Sequence, residues 1–282
     1  METIDTITGM QKRSEELRLS GKTIALVPTM GFFHEGHLEL MRVGRHLADK
    51  LIVSIFVNPT QFGPSEDFEE YPRDMEGDLE KAREVGVDLA FIPAAEEMYP
   101  DGFQTNVTVE GISKYLCGIS RPHFFGGIAT IVTKLFNITK PHLSIFGEKD
   151  FQQLAVIHRM VKDLDMGIEI VGVPTVREPD GLAMSSRNSC LSSEERRSAL
   201  SLKKSIDMAN DMVGGGEKDA AGIISAIQAL ISSHLFTKID YISICDPITM
   251  EDKATIEGEC LLALAVKIGK TRLIDNCLID ID

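Results

Sequence analysis

The chain has 282 residues, enough for one large α/β domain or two smaller ones. With 43% hydrophobic and 26% charged residues it has an ordinary globular composition. Its 43 acidic and 29 basic side chains leave a formal net charge of −14, which argues against a broad nucleic-acid surface, because neutralising a phosphate backbone needs clustered Lys and Arg. No apolar run reaches the roughly 18 residues of a membrane span, so no membrane association is expected. The N-terminal stretch has no apolar core or secretory cleavage pattern. Five scattered cysteines without a CxxC pair suit a reducing compartment, and the cytoplasm is the expected location.

In chain order, Thr23 to Val27 reads as a buried strand that stops at Pro28 and Gly31. Helical spacing follows from Glu35 to Lys50. Leu51 to Val57 is a second apolar strand, Asp74 to Val85 a helix, and Val87 to Ile92 a strand. Ile128 to Ile138 reads as helix, His142 to Phe146 as strand, Asp150 to Leu164 as helix and Ile168 to Val173 as strand. Apolar strands alternating with helices indicate a parallel sheet covered on both faces, whose ligands bind beyond the C-terminal strand ends. Glu178-Pro179-Asp180-Gly181 then marks a turn. Two helical stretches, near Ser193 to Val213 and Ala220 to Leu235, precede strands at Lys238–Ile244, Cys260–Ile268 and Thr271–Ile279, with Ser192 and Glu195 as a capping box. The expected architecture is a Rossmann-like, doubly wound parallel sheet over 1–180, followed by a smaller α+β domain over 181–282.

Four elements sit where such a sheet binds ligands. Pro28 to His37, PTMGFFHEGH, places His34 and His37 where a strand hands over to a helix N-terminus, which favours phosphate. Two histidines at that spacing also suit a plain packed helix start, and no third ligand at a recognisable spacing suggests a metal site. Asn58-Pro59-Thr60-Gln61-Phe62 leaves the second strand with neutral groups able to orient a hydroxyl or carboxylate. Gly147-Glu148-Lys149-Asp150 offers a phosphate cation in Lys149, an N-cap in Asp150 and two first-turn glutamines, Gln152 and Gln153. Met184-Ser185-Ser186-Arg187-Asn188 sets two hydroxyls and a guanidinium side by side as an anion clamp.

The pairing of His-x-Gly-His after the first strand with a Ser/Arg clamp after the last resembles the nucleotidylyltransferase superfamily, with MSSR in place of KMSKS. PTMGFFHEGH, SIFVNPTQF, YPRD, SRPHFFGG, KLFNITKP, FGEKDFQQL, VREPDGLAMSSRN and RLIDN follow in order over nearly the whole chain. Together they resemble the pantothenate synthetase (pantoate–β-alanine ligase) family.

The resemblance implies a ligase that joins pantoate to β-alanine using ATP and Mg²⁺, through a pantoyl adenylate. It implies that Met30, Gly31, Phe32, Phe33, His34, Glu35, Gly36 and His37 line the ATP site, with His37 as the catalytic histidine. Gly147, Glu148, Lys149, Asp150, Val176, Met184, Ser185, Ser186 and Arg187 contact ATP as well. Gln61 and Gln153 match pantoate-binding glutamines, and Asn58 assists near the phosphates. Asp78 matches an acidic position implicated in holding Mg²⁺, and no residue is assigned as a metal ligand. Small-molecule substrates and a homodimer are implied, with no nucleic acid and no membrane. One departure is visible: Arg121-Pro122-His123-Phe124-Phe125-Gly126-Gly127 stands where the family reads RPGHFxG, so His123 is left out of the site. An adenylyltransferase that moves AMP onto a phosphate is the nearest alternative, separated by whether an amide forms.

Overall fold

The computed structural model describes residues 1–63 and 68–280. In chain order the elements are β1 (Glu2–Ile4), α1 (Ile7–Leu19), β2 (Ile24–Thr29), α2 (Glu35–Leu47), β3 (Lys50–Ile55), α3 (Met75–Val85), β4 (Leu89–Phe91) and α4 (Ala95–Met98). Then come α5 (Cys117–Ser120), α6 (Phe124–Thr139), β5 (Leu143–Gly147), α7 (Phe151–Asp163) and β6 (Glu169–Val173). The remainder is α8 (Ser193–Ala199), α9 (Ser201–Gly214), α10 (Ala220–Ser232), β7 (Thr237–Cys245), β8 (Cys260–Ile268) and β9 (Thr271–Ile279).

The chain divides into two compact units. The first holds Met1–Val109, His123–Glu148 and Val156–Pro174; the second holds Glu110–Pro122, Lys149–Ala155 and Thr175–Asp282.

In the first unit six strands pair in the order β1-β4-β3-β2-β5-β6, with every pair parallel. From β2 the chain builds outward through β3 and β4, then returns to place β5 on the other side of β2. The neighbouring ends of β2 and β5 are therefore the switch point at which such sheets bind ligands. The Rossmann-like reading holds. Ile24 to Val27 and Leu51 to Val53 are fully buried, as strands covered on both faces must be. Helix α2 lies close on the sheet because Gly44 has no side chain: a Cβ there would stand 2.8 Å from Leu51 and 3.2 Å from Ile145.

The second unit carries the antiparallel sheet β7-β8-β9, with α9 and α10 contributing to its apolar core. Leu262, Leu264, Val266, Ile206, Ile223 and Ile227 are buried there. The Ser192–Glu195 capping box is present, with Ser192 Oγ accepting from Glu195 N–H and Glu195 returning the bond. The expected single helix from Ser193 to Val213 is two, α8 and α9, meeting at Leu200. Asp150, expected as an N-cap, ends a 3₁₀ turn, Glu148–Asp150, that runs into α7.

Candidate functional site

The loop after β2 is held from beneath by one buried carboxylate. Asp78, on α3, is 1% exposed, and its two oxygens accept from Phe32 N–H at 2.7 Å and Phe33 N–H at 2.6 Å. Burial raises its pKa, opposed by those two amides. Lys81, one turn further along α3, donates to Phe33 C=O at 2.9 Å. Phe32 has φ +54°, on the left-handed side that costs a non-glycine residue about 1 kcal/mol or more, and the Asp78 bond helps to hold it there. Gly31 has φ +83°, and a Cβ on it would stand 2.9 Å from Asp78 Oδ2. Only glycine fits there without displacing the carboxylate. Asp78 is therefore committed to the loop backbone. Its environment does not fit the Mg²⁺ role its position suggested, since a metal ligand must present an accessible oxygen.

This support fixes the head of α2. His34 is the N-cap, and its carbonyl accepts from His37 N–H and Leu38 N–H. His34 N–H donates to His37 Nδ1 at 3.3 Å, and the two imidazoles lie 4.1 Å apart at 31°. With Nδ1 accepting, the neutral His37 ring carries its proton on Nε2. Phe33, buried, packs 5.5 Å from His37. Met30, His34, Gly36 and His37 are partly exposed, while Glu35 is exposed and paired with Arg42. Met30 to His37 thus form one contiguous candidate segment, while Gly147 ends the neighbouring strand β5 and Glu148 opens the 3₁₀ turn that follows.

Beyond β3, Gln61 closes a one-turn 3₁₀ helix, Pro59–Gln61. Asn58 caps that turn and faces inward. It is 1% exposed, donates to Gly127 C=O at 3.2 Å, and accepts from Thr60 Oγ1 at 3.0 Å and Tyr99 O–H at 2.8 Å. The expected place of Asn58 beside phosphate gives way to anchoring of the loop. Gln61 itself is partly exposed. His123, exposed, is the residue before α6, and its carbonyl accepts from Gly127 N–H.

The other candidate residues belong to the second unit. Val176 and Met184 are brought together by a hairpin: Met184 N–H donates to Val176 C=O at 3.0 Å, and Arg177 bridges to Ala183. Asn188 donates to Glu178 at 2.7 Å and Ala183 C=O at 3.0 Å, while Arg196 ties Glu178 to Asp180. Ser185 Oγ accepts from Arg187 N–H, capping the 3₁₀ turn Ser186–Cys190. Ser186 is buried; Ser185 and Arg187 are partly exposed.

Lys149 and Asp150 form an ion pair at 3.7 Å, and Asn276 Nδ2 donates to Lys149 C=O at 2.8 Å. Asp275, next to it on β9, is buried and grips Arg177 in a two-pronged pair at 2.7 and 2.9 Å. RLIDN is thus the strand that pins both Lys149 and the clamp hairpin. The sequence marks it as a motif without revealing that duty. Gln152 points inward, accepting from Cys117 N–H and donating to Ile112 and Tyr115 carbonyls, whereas its neighbour Gln153 is partly exposed.

A family model described as pantoate-beta-alanine ligase matches residues 2–278. The chain belongs to the pantoate–β-alanine ligase family. It is 57% identical to the pantothenate synthetase of Desulfatibacillum aliphaticivorans, over 99% of this chain and 100% of that one. The fold matches the crystal structure of pantothenate synthetase from Thermus thermophilus with a TM-score of 0.93 at 41% identity, covering 98% of this chain and 99% of that one. It also matches a pantoate-beta-alanine ligase from Francisella tularensis complexed with beta-gamma ATP and beta-alanine. There the TM-score is 0.82 at 34% identity, covering 99% of this chain and 97% of that one. Among the described residues no helix is long and apolar enough to cross a membrane, and no group of three or more His, Cys, Asp or Glu could hold a metal ion.

Proposed function

We propose that Met30 to His37 of the first unit and Met184 to Arg187 of the second act on one ATP molecule. The reaction is the family's: condensation of pantoate with β-alanine to pantothenate through pantoyl adenylate. A pantoate carboxylate oxygen attacks the α-phosphorus, and the bond to pyrophosphate breaks with its electron pair leaving on pyrophosphate. The β-alanine amine then attacks the acyl carbon, AMP leaves with the C–O electron pair, and the nitrogen sheds a proton.

The observation that carries this reading is the head of α2. Its first-turn amides favour phosphate, and the His34 N–H bond to Nδ1 keeps the His37 proton on Nε2. That N–H stabilises charge developing on the α-phosphate oxygens. Lys149 supplies a cation to the phosphates, Ser185, Ser186 and Arg187 close on them, and Gly147, Glu148, Asp150 and Val176 complete the ATP contacts. Gln61 and Gln153 orient pantoate through neutral hydrogen bonds. Mg²⁺ accompanying ATP would supply positive charge near the phosphates, and no described residue is assigned to hold it.

The first unit contributes the histidine segment and Gln61, and the second contributes Lys149, Gln153 and the Ser-Ser-Arg clamp. The protein works in the cytoplasm, for which its unpaired cysteines are suited, as a homodimer. Product analysis tests the reaction. Pyrophosphate is expected with ATP and pantoate alone, and pantothenate with AMP only once β-alanine is added. ADP as product, or no pyrophosphate, would contradict it. His37→Ala is expected to slow single-turnover pyrophosphate release by about 10²–10³. A rate within about threefold of the unmutated protein would remove His37 from the role.

A further inference from the structure

A one-turn 3₁₀ helix has little stability of its own, so something outside Pro59–Gln61 must set where Gln61 stands. Within the turn, Gln61 N–H donates to Asn58 C=O and Phe62 N–H to Pro59 C=O, both at 3.2 Å. The remaining support comes from elsewhere in the first unit. Thr60 C=O lies 2.4 Å from where a Cβ on Gly127 would be, so α6 presses directly against the turn. The Asn58 cap is held in turn by Tyr99, the residue after α4, whose O–H donates to Asn58 Oδ1 at 2.8 Å and lies 3.4 Å from Thr60 Oγ1.

Tyr99 is itself fixed. Phe103 meets its ring edge-on at 5.1 Å and 82°, and Phe56 lies 6.3 Å away. The half-buried Lys134 ammonium, on α6, stands 4.9 Å from the Phe103 centroid and 5.8 Å from that of Tyr99. A cation over aromatic faces is attracted by their ring electrons, which helps to hold both rings in orientation.

We infer that Tyr99 is a positioning residue for the pantoate end of the reaction: its hydroxyl locks the Asn58 cap and thereby places Gln61. This rests on the proposed role of Gln61. Tyr99→Phe keeps the ring, its stacking and the Lys134 contact, and removes only the O–H donor. Asn58 Oδ1 retains Thr60 as a partner, so the fold is retained.

The test is a double-mutant cycle between Tyr99→Phe and Gln61→Ala, read as KM for pantoate and KM for ATP, with thermal unfolding of each variant. Tyr99→Phe is expected to raise the pantoate KM about fivefold or more, leaving the ATP KM within about twofold and the melting temperature nearly unchanged. In the Gln61→Ala background the same substitution is expected to change the pantoate KM by less than about twofold, because its route of action is gone. An undiminished effect in that background overturns the inference, as does an unchanged pantoate KM in Tyr99→Phe alone. If Gln61→Ala itself leaves the pantoate KM unchanged, the fault lies with the role of Gln61, and the inference falls with it.

Discussion

Removing the Asp78 carboxylate takes away the oxygens that accept the amide protons of Phe32 and Phe33. Each lost amide bond costs about 1–3 kcal/mol, so Asp78→Ala is expected to lower unfolding free energy by about 2–6 kcal/mol in denaturant titration. Phe32 then lacks one restraint on its left-handed conformation, and the histidine pair loses its fixed approach to α2. The same variant is expected to lose at least about tenfold in kcat/KM for ATP. Asp78→Asn keeps the shape but turns an NH₂ donor toward one N–H, so it is not expected to rescue. Full ATP efficiency in Asp78→Asn would show that the loop does not depend on two acceptor oxygens. Neither the Asp78 nor the Asn58 arrangement is legible in the sequence. Each side chain serves backbone or side-chain groups far along the chain, and no local pattern reports such a partner. The histidines were legible because their chemistry and spacing lie in one short segment.

At the scale of elements, the edge of the parallel sheet hangs on Asp88. Its carboxylate accepts from Leu51 N–H at 2.9 Å and Lys50 Nζ at 2.7 Å and pairs with Arg45. Its own N–H donates to Leu51 C=O, and its carbonyl accepts from Glu2 N–H, so β1, β3 and β4 converge there. Burial works to raise its pKa, but Lys50, the Leu51 amide and Arg45 outweigh it and hold the carboxyl below the ordinary range. A carboxyl lowered in the fold contributes stability above its unfolded pKa and loses it as pH falls through the folded value. Asp88→Asn is therefore expected to cost about 2 kcal/mol at pH 7. The gap to the unmutated protein should narrow as pH falls below about 4, where unfolded carboxyls protonate. A constant gap down to about pH 2 would contradict this. β2, β3 and β5 are readable as apolar runs. β1 and α1 are not, because β1 is three residues long and α1 buries only Met10, Ser14 and Leu17. A three-residue strand is too short to read, and in α1 a serine interrupts the helically spaced buried face, so its apolar signal is weak.

For the molecule as a whole, the sequence suggests a single break near residue 180, whereas the second unit also draws in Glu110–Pro122 and Lys149–Ala155. The bonds from Gln152 to Ile112, Tyr115 and Cys117 help explain it, since one buried amide side chain ties the two inserts together. Amide-to-backbone ties of this kind have no compositional signature. Thiol chemistry reports on the intact fold. Burial pushes Cys245 and Cys277 up to about 12, Cys117 and Cys260 are buried, and Cys190 is exposed beside the clamp turn. Native-state alkylation with a thiolate-selective reagent at about pH 8 is expected to label Cys190 first by mass spectrometry. Comparable labelling of Cys245 or Cys277 would contradict the packing around β7 and β9.

The central claim is that both units serve one nucleotide. The most direct measurement is a crystal structure with pantoate and a non-hydrolysable ATP analogue. We expect His34, His37, Lys149, Ser185 and Arg187 to contact the same triphosphate, with the pantoate carboxylate facing its α-phosphorus and Gln61 and Gln153 on pantoate. A triphosphate touched by the histidine segment alone, with the Ser-Ser-Arg turn turned away from it, would contradict the account.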